Sequence, residues 1–261
     1  MSDSEGITCA SLSELWLKGD EERFCHFLSQ FMRPLFPRQL DRSLFSRRRR
    51  ALSGVIILMR RLWREQLPPQ DEKVRSLDGA PIPVCTFARS NRRQTVRGVE
   101  CCGRLESKKG KLFGFRLHAT VTPDQLMDER VLAPTTIHDV HVALELLSDD
   151  SEIIAIGDTA YTSAELEQTL WDDAMIQLLP LRHPGQHLQW TADVRRLLSR
   201  IRMRVETAFS QLTTVFDFGP TGARSLVGAV NRVVSKMLAH TFCFLWHRVN
   251  TTADWSGSVT L

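Results

Sequence analysis

Residues Ile153 to Tyr161 have the sequence IIAIGDTAY. A short apolar, β-branched run, broken by a glycine and followed at once by an aspartate, predicts a buried strand that delivers Asp158 at its carboxyl end. Open α/β sheets place their chemistry at the carboxyl ends of strands, and Gly157 lets backbone come close to a phosphate or a metal. An aspartate after a strand also serves as a turn residue, or as the N-cap of a helix starting near Ser163, and the stretch alone does not choose between these roles. Two other carboxylates sit in comparable settings. SLDGAPIPV puts Asp78 beside Gly79 at the end of a strand-like run that begins near Val74, and RMRVETAFSQL puts Glu206 in a strongly helical segment. If a sheet brings the three together, they form a set of hard oxygen ligands suited to Mg²⁺ or Mn²⁺.

Working outward, KLFGFRLHATVT reads as an alternating, aromatic strand, DERVLAPT as another, and HDVHVALELL, from His138 to Leu147, as a short helix. VRSLDG before them is a strand, and RGVECCGRLE is a strand or a loop. A helix from Ser163 to Trp171 and the strand MIQLLPL follow IIAIGDTAY, and a polar loop, RHPGQHLQW, comes next. In the last third Val194, Leu197, Leu198, Ile201, Val205, Ala208, Phe209 and Leu212 keep a 3.6-residue period, which predicts a core stripe with Arg202 and Glu206 on its flank. A final apolar helix runs from Ser225 to about Arg248. Hairpin strands followed by alternating helices and strands make an α/β chain with a mixed sheet flanked by helices.

The front of the chain, from about Ser11 to Leu67, reads as helical, with breaks at Pro34 and Pro37 and one helix from Asp41 to Gln66. Pro68 and Pro69 end it. The expected organisation is a helical, basic module over residues 1–69, a catalytic domain over 70–250 and a disordered tail over 251–261. Hydrophobic residues at 43% and charged residues at 25% of the 261 are globular values. No run approaches a membrane span and the polar N-terminus resembles no secretory signal, so a cytoplasmic protein is expected. Six cysteines without a CxxC pair argue against a zinc ribbon or a disulfide framework, and Pro184 and Gly185 keep His183 and His187 off a common helical face. The net charge is only +4, yet Arg33 to Arg64 holds ten arginines and one acid, with Arg47, Arg48, Arg49 and Arg50 in a row. Such a block reads as a phosphate-binding surface, or as a solvated helix face.

Five blocks in order, LDGAPIPVC, KLFGFRLH, LAPTTIHD, GDTAY and RMRVETAFSQL, resemble the DDE insertion-sequence transposases with a ribonuclease H-like catalytic domain, most closely insertion-sequence family 982. The likeness covers roughly Phe36 to His240. It implies that Asp78, Asp158 and Glu206 are the catalytic, metal-binding triad for two divalent ions, Mg²⁺ or Mn²⁺, and that Arg202 matches the arginine four residues before the glutamate. It implies DNA contacts from Arg47 to Arg50, Lys108, Lys109, Lys111, Arg116 and Arg202. Double-stranded DNA, as terminal inverted repeats and target, is the implied partner, a homodimer the implied form on DNA, and the bacterial cytoplasm and nucleoid the implied place. The chain departs from related signatures at Ser199, Thr213, Thr159 and Ala160. Two other functions share the fold: a domesticated copy that binds DNA without cutting, and a ribonuclease H-like nuclease.

Overall fold

Strand β1, Val74–Thr86, is the centre of the sheet in this computed structural model, which describes residues 1–67, 73–86, 101–105, 110–219 and 225–250. One edge of β1 pairs antiparallel with β3, Gly110–Val121, from Ser76 opposite Val121 to Thr86 opposite Leu112. Its other edge pairs parallel with β5, Ile154–Gly157, which in turn pairs parallel with β6, Gln177–Pro180. The far edge of β3 is shared by β2, Cys102–Leu105, and β4, Met127–Pro134, both antiparallel. Among the described residues this is a six-stranded mixed sheet in the order β2, β3, β1, β5, β6, with β4 on β3. Helices flank it, in keeping with a ribonuclease H-like domain.

Asp78 was expected at the end of a strand, but β1 continues eight residues beyond it. The Gly79–Pro81–Pro83 sequence looks like a turn because proline cannot donate to a ladder. It is tolerated here because β5 ends at Gly157, so the edge of β1 beyond Asp78 no longer has β5 beside it.

Strand parity assigns the two faces. Ser76 lies opposite Ile156, so Asp78 and Asp158, two residues further along each strand, share the face of Ser76. Helix α7, Ala192–Phe216, lies on that face, where the Ser76 hydroxyl donates to the Ile201 carbonyl over 3.5 Å. The opposite face buries Leu77 and Ala155 against Ala143 and Leu146 of α5, Asp139–Leu146, and Leu166 and Leu170 of α6, Ala164–Ala174. A single 3-10 turn, Thr159–Tyr161, joins β5 to α6. The α7 stripe differs from expectation at its start. Leu198, Val205, Ala208 and Leu212 are buried, but Val194 and Leu197 are 38% and 47% exposed.

The chain divides into two compact units, Pro69–Ser210 and Met1–Pro68 with Gln211–Leu261. In the second unit α1, Asp3–Leu17, starts on a capping box in which Ser2 and Glu5 each accept from the other's backbone N–H. Helix α2 is Glu21–Phe31, α3 is Arg42–Ala51 and α4 is Ser53–Gln66. The single helix expected from Asp41 to Gln66 is therefore two. It breaks at Leu52, where the amide of Asn231 donates to the Arg49 carbonyl over 3.0 Å and to the Ser53 hydroxyl over 2.7 Å, satisfying backbone that the break frees. Asn231 belongs to α8, Leu226–Asn250, whose Val234 and Leu238 pack with Ile7, Ala10, Leu52 and Ile56. No described helix is long and apolar enough to cross a membrane.

Candidate active site

Asp78 lies two residues beyond Ser76 on β1, and Asp158 two beyond Ile156, just past the end of β5; the parallel pairing of Ser76 with Ile156 leads both aspartates out at the same end of adjacent strands. The Gly79 N–H donates to Asp78 Oδ1 over 2.7 Å, and the Ala160 N–H donates to Asp158 Oδ1 over 2.9 Å. Asp158 thus caps the 3-10 turn, while Ser163 caps α6. Each aspartate uses one oxygen on local backbone. From α7, Arg202 reaches both remaining parts of the set: Nη1 donates to Glu206 Oε1 over 2.7 Å, and Nη2 stands 3.6 Å from Asp78 Oδ2. One guanidinium therefore links Asp78 to Glu206. The i,i+4 spacing that makes the helical pair also turns Arg202 toward the strand. Burial pushes the Asp78 carboxyl up to about 6, reinforced by the charge of Asp158 and opposed by the Gly79 N–H and Arg202.

Two buried rings pack against the glycines beside these carboxylates. A Cβ on Gly79 would sit 3.0 Å from His118 Nδ1, and a Cβ on Gly157 would sit 2.8 Å from Tyr161 Cδ2. Each ring thus fills the space beside the glycine that neighbours an aspartate. His118 Nδ1 and the Tyr161 hydroxyl are 3.2 Å apart, so one hydrogen bond ties the two rings together. Both are fully buried. Burial pulls the His118 ring down to about 4, which keeps it neutral, and holds the Tyr161 phenol well above its ordinary value. Arg116 donates to Asp139 Oδ1 over 2.7 Å at the first turn of α5. His118, Tyr161 and Asp139 lie in KLFGFRLH, GDTAY and LAPTTIHD, and nothing in their local sequence pattern marks them as functional. The signal for two of them lies in Gly79 and Gly157: a glycine beside each aspartate leaves room for a ring to approach closely.

The basic residues fall into separate groups. Arg49 is buried and ion-paired to Glu14, with Glu21 3.6 Å away, so its guanidinium is committed to the interior. Arg48 pairs with Asp3 over 2.6 Å. Arg47 and Arg50 are exposed and donate only to the carbonyls of Ser43 and Ser46 on their own helix. Arg116 is partly exposed beside its pair with Asp139. Lys108 and Lys109 lie outside the described residues, and Lys111 is described only as backbone of β3, opposite Arg104.

The chemistry of the donor set fits a divalent cation. Three carboxylates would supply hard oxygens, and a half-buried Asp78 whose ionised form is disfavoured beside Asp158 is a group that positive charge relieves. Arg202 supplies positive charge beside it. Among the described residues no three His, Cys, Asp or Glu side chains stand close enough to hold an ion.

Compared with known families, residues 69–226 match the model described as Transposase DDE domain. No curated protein matches, and no solved structure matches.

Proposed function

Because this chain belongs to the DDE-domain transposases, we propose that it is the transposase of an insertion sequence, binding the terminal inverted repeats of its element and cutting and joining DNA with the help of divalent metal. The observation that carries this reading is that Asp78 and Asp158 each follow the paired residues Ser76 and Ile156 by two positions, and that Arg202 of α7 reaches both Asp78 and Glu206. Asp78, Asp158 and Glu206 would hold two ions, Mg²⁺ or Mn²⁺, whose chemistry is to stabilise the attacking and departing oxygens of an in-line displacement at phosphorus. The protein's own part is positional. Gly79 and Ala160 N–H groups orient one oxygen of each aspartate, and the His118–Tyr161 pair fixes the strands beneath them. Arg202 balances the negative charge and is a donor that a DNA phosphate can engage. Duplex DNA is the partner, as element end and as target, with two copies of the chain on the paired ends and the bacterial nucleoid as the setting. The kinship to insertion-sequence family 982 rests on the five sequence blocks alone.

The deciding experiment incubates the protein with its element's ends, Mn²⁺ and a target plasmid. Metal-dependent nicking at the end and joined products are expected from the parent and from neither Asp158→Asn nor Glu206→Gln. Nicking without joining would make the chain a nuclease instead.

One observation favours a second reading. Arg202 already satisfies Asp78 and Glu206, as it would in a copy that binds element ends without cutting them. That copy would bind the ends and leave them intact at every Mn²⁺ concentration.

A further inference from the structure

A cavity of about 450 Å³ opens in the helical unit between α3 and the first turns of α8. Arg42, Arg47 and Arg50 come to it from α3, and Arg232 comes from α8. Serines 43, 46 and 225 add hydroxyls. The walls hold no aliphatic or aromatic side chain. The one acid on the lining, Glu21, has its carboxylate 3.6 Å from the buried Arg49. Arg42 has Glu22 at 3.8 Å across an exposed gap, and Arg47, Arg50 and Arg232 have no carboxylate partner among the described residues. The Nε groups of Arg47 and Arg50 are fastened to their own helix carbonyls, which leaves the terminal guanidinium nitrogens to reach outward.

We propose that this cavity is a binding site for the phosphodiester backbone of duplex DNA, formed jointly by Arg42, Arg47 and Arg50 of α3 and Arg232 of α8. The chemistry selects the ligand. Unpartnered arginines repel one another until an anion sits among them, and their planar forks match phosphate oxygens in pairs. The absence of any ring removes the stacking platforms that single strands need, so the site reads backbone and not base. The volume exceeds what one phosphate fills and lies in the range of ligand pockets, which suits a stretch of backbone. The assignment also redistributes the run of four arginines: Arg47 and Arg50 bind, while Arg48 and Arg49 hold the unit together. It rests on the reading of the chain as a DNA-processing enzyme and names where the duplex is held.

The test measures fluorescence anisotropy of a labelled 30-base-pair duplex against salt for the full chain. The double variant Arg50→Gln/Arg232→Gln should bind at least tenfold more weakly, with the slope of log affinity against log salt flatter by about two, at roughly 0.9 per lost contact. Arg50→Lys/Arg232→Lys keeps the charges and should keep the slope, which separates phosphate contact from a merely structural role. Arg23→Gln, on α2 and paired with Asp20, should bind like the parent. A parental slope in the double glutamine variant, or equal loss in the lysine variant, would overturn the proposal. So would tighter binding of a single strand of equal length. Millimolar inorganic phosphate that displaces the duplex at unchanged ionic strength would likewise overturn it in favour of a small-anion site. If the parent shows this arginine-dependent duplex binding yet leaves its element's ends uncut at every Mn²⁺ concentration, the transposase reading fails while the cavity stands.

Discussion

At Asp78 the protein keeps a charge where folding alone would rather have none. The carboxyl rises from its ordinary 3.8 to about 6 through burial, with Asp158 adding to the rise. A carboxyl whose folded value is raised binds its proton more tightly in the folded chain. Its contribution to stability is full below about pH 4 and is lost as pH rises through 6. Asparagine at this position has no such dependence. Asp78→Asn is therefore expected to be more stable than the parent at pH 8, by roughly 2 to 3 kcal/mol at 1.36 kcal/mol per unit, and to differ little at pH 4. Urea unfolding at the two pH values checks it. Added Mn²⁺ should then raise the melting temperature of the parent and not that of the variant, since mass action stabilises only a fold that binds. A variant less stable than the parent at pH 8 would mean that the pairing with Arg202 outweighs burial.

At the scale of elements, the run Arg47 to Arg50 shows what a helix does to a charge cluster. Successive residues turn by about 100°, so four in a row cannot share one face. Arg49 lies four residues after the buried Phe45 and three before the buried Leu52, and that places it inward. It is met there by Glu14, which also accepts from Lys236 Nζ over 2.8 Å. This buried cluster is sensitive to loss of its one shared acid. Glu14→Gln removes the carboxylate shared by Lys236 and Arg49, leaving Arg49 only Glu21 at 3.6 Å, and should cost about 3 to 5 kcal/mol in urea unfolding. Loss of less than 1 kcal/mol would show that water reaches the cluster. The strands and helices around IIAIGDTAY were legible because burial on both faces leaves a continuous apolar run, and the later part of α7 because Val205, Ala208 and Leu212 keep period. The break at Leu52 was not legible, because the group that makes it tolerable, Asn231, is remote in sequence. The same holds for the ring pair under the aspartates, since His118 and Tyr161 meet only through strand register. Asp78 and Asp158 were recognisable as residues, whereas the guanidinium that links Asp78 to Glu206 needed coordinates.

Across the whole molecule, the residues proposed to hold DNA and those proposed to cut it are different sets. The arginine cavity draws on residues of the helical unit, and Asp78, Asp158, Arg202 and Glu206 all lie within Pro69–Ser210. Among the described residues the two sets share no hydrogen-bond or ion-pair partner. Lesions in them should therefore act on different quantities. Glu206→Gln keeps helix packing, because its side chain is half exposed, and removes a negative charge, so duplex affinity should stay while cleavage falls by orders of magnitude, each 1.36 kcal/mol being about tenfold. Arg50→Gln/Arg232→Gln should weaken affinity and leave the cleavage rate at saturating duplex unchanged. Combined, the effects on the rate at low duplex should add to within about 0.5 kcal/mol, as for sites with no shared partner. Single-turnover cleavage of a labelled end across duplex concentrations measures all three. A combined loss far smaller than the sum would show that the arginines also place the scissile phosphate. If Glu206→Gln cut like the parent, its bond to Arg202 would be an ordinary helical pair worth about 0.3 to 0.5 kcal/mol, and the third acidic ligand would lie elsewhere in the chain.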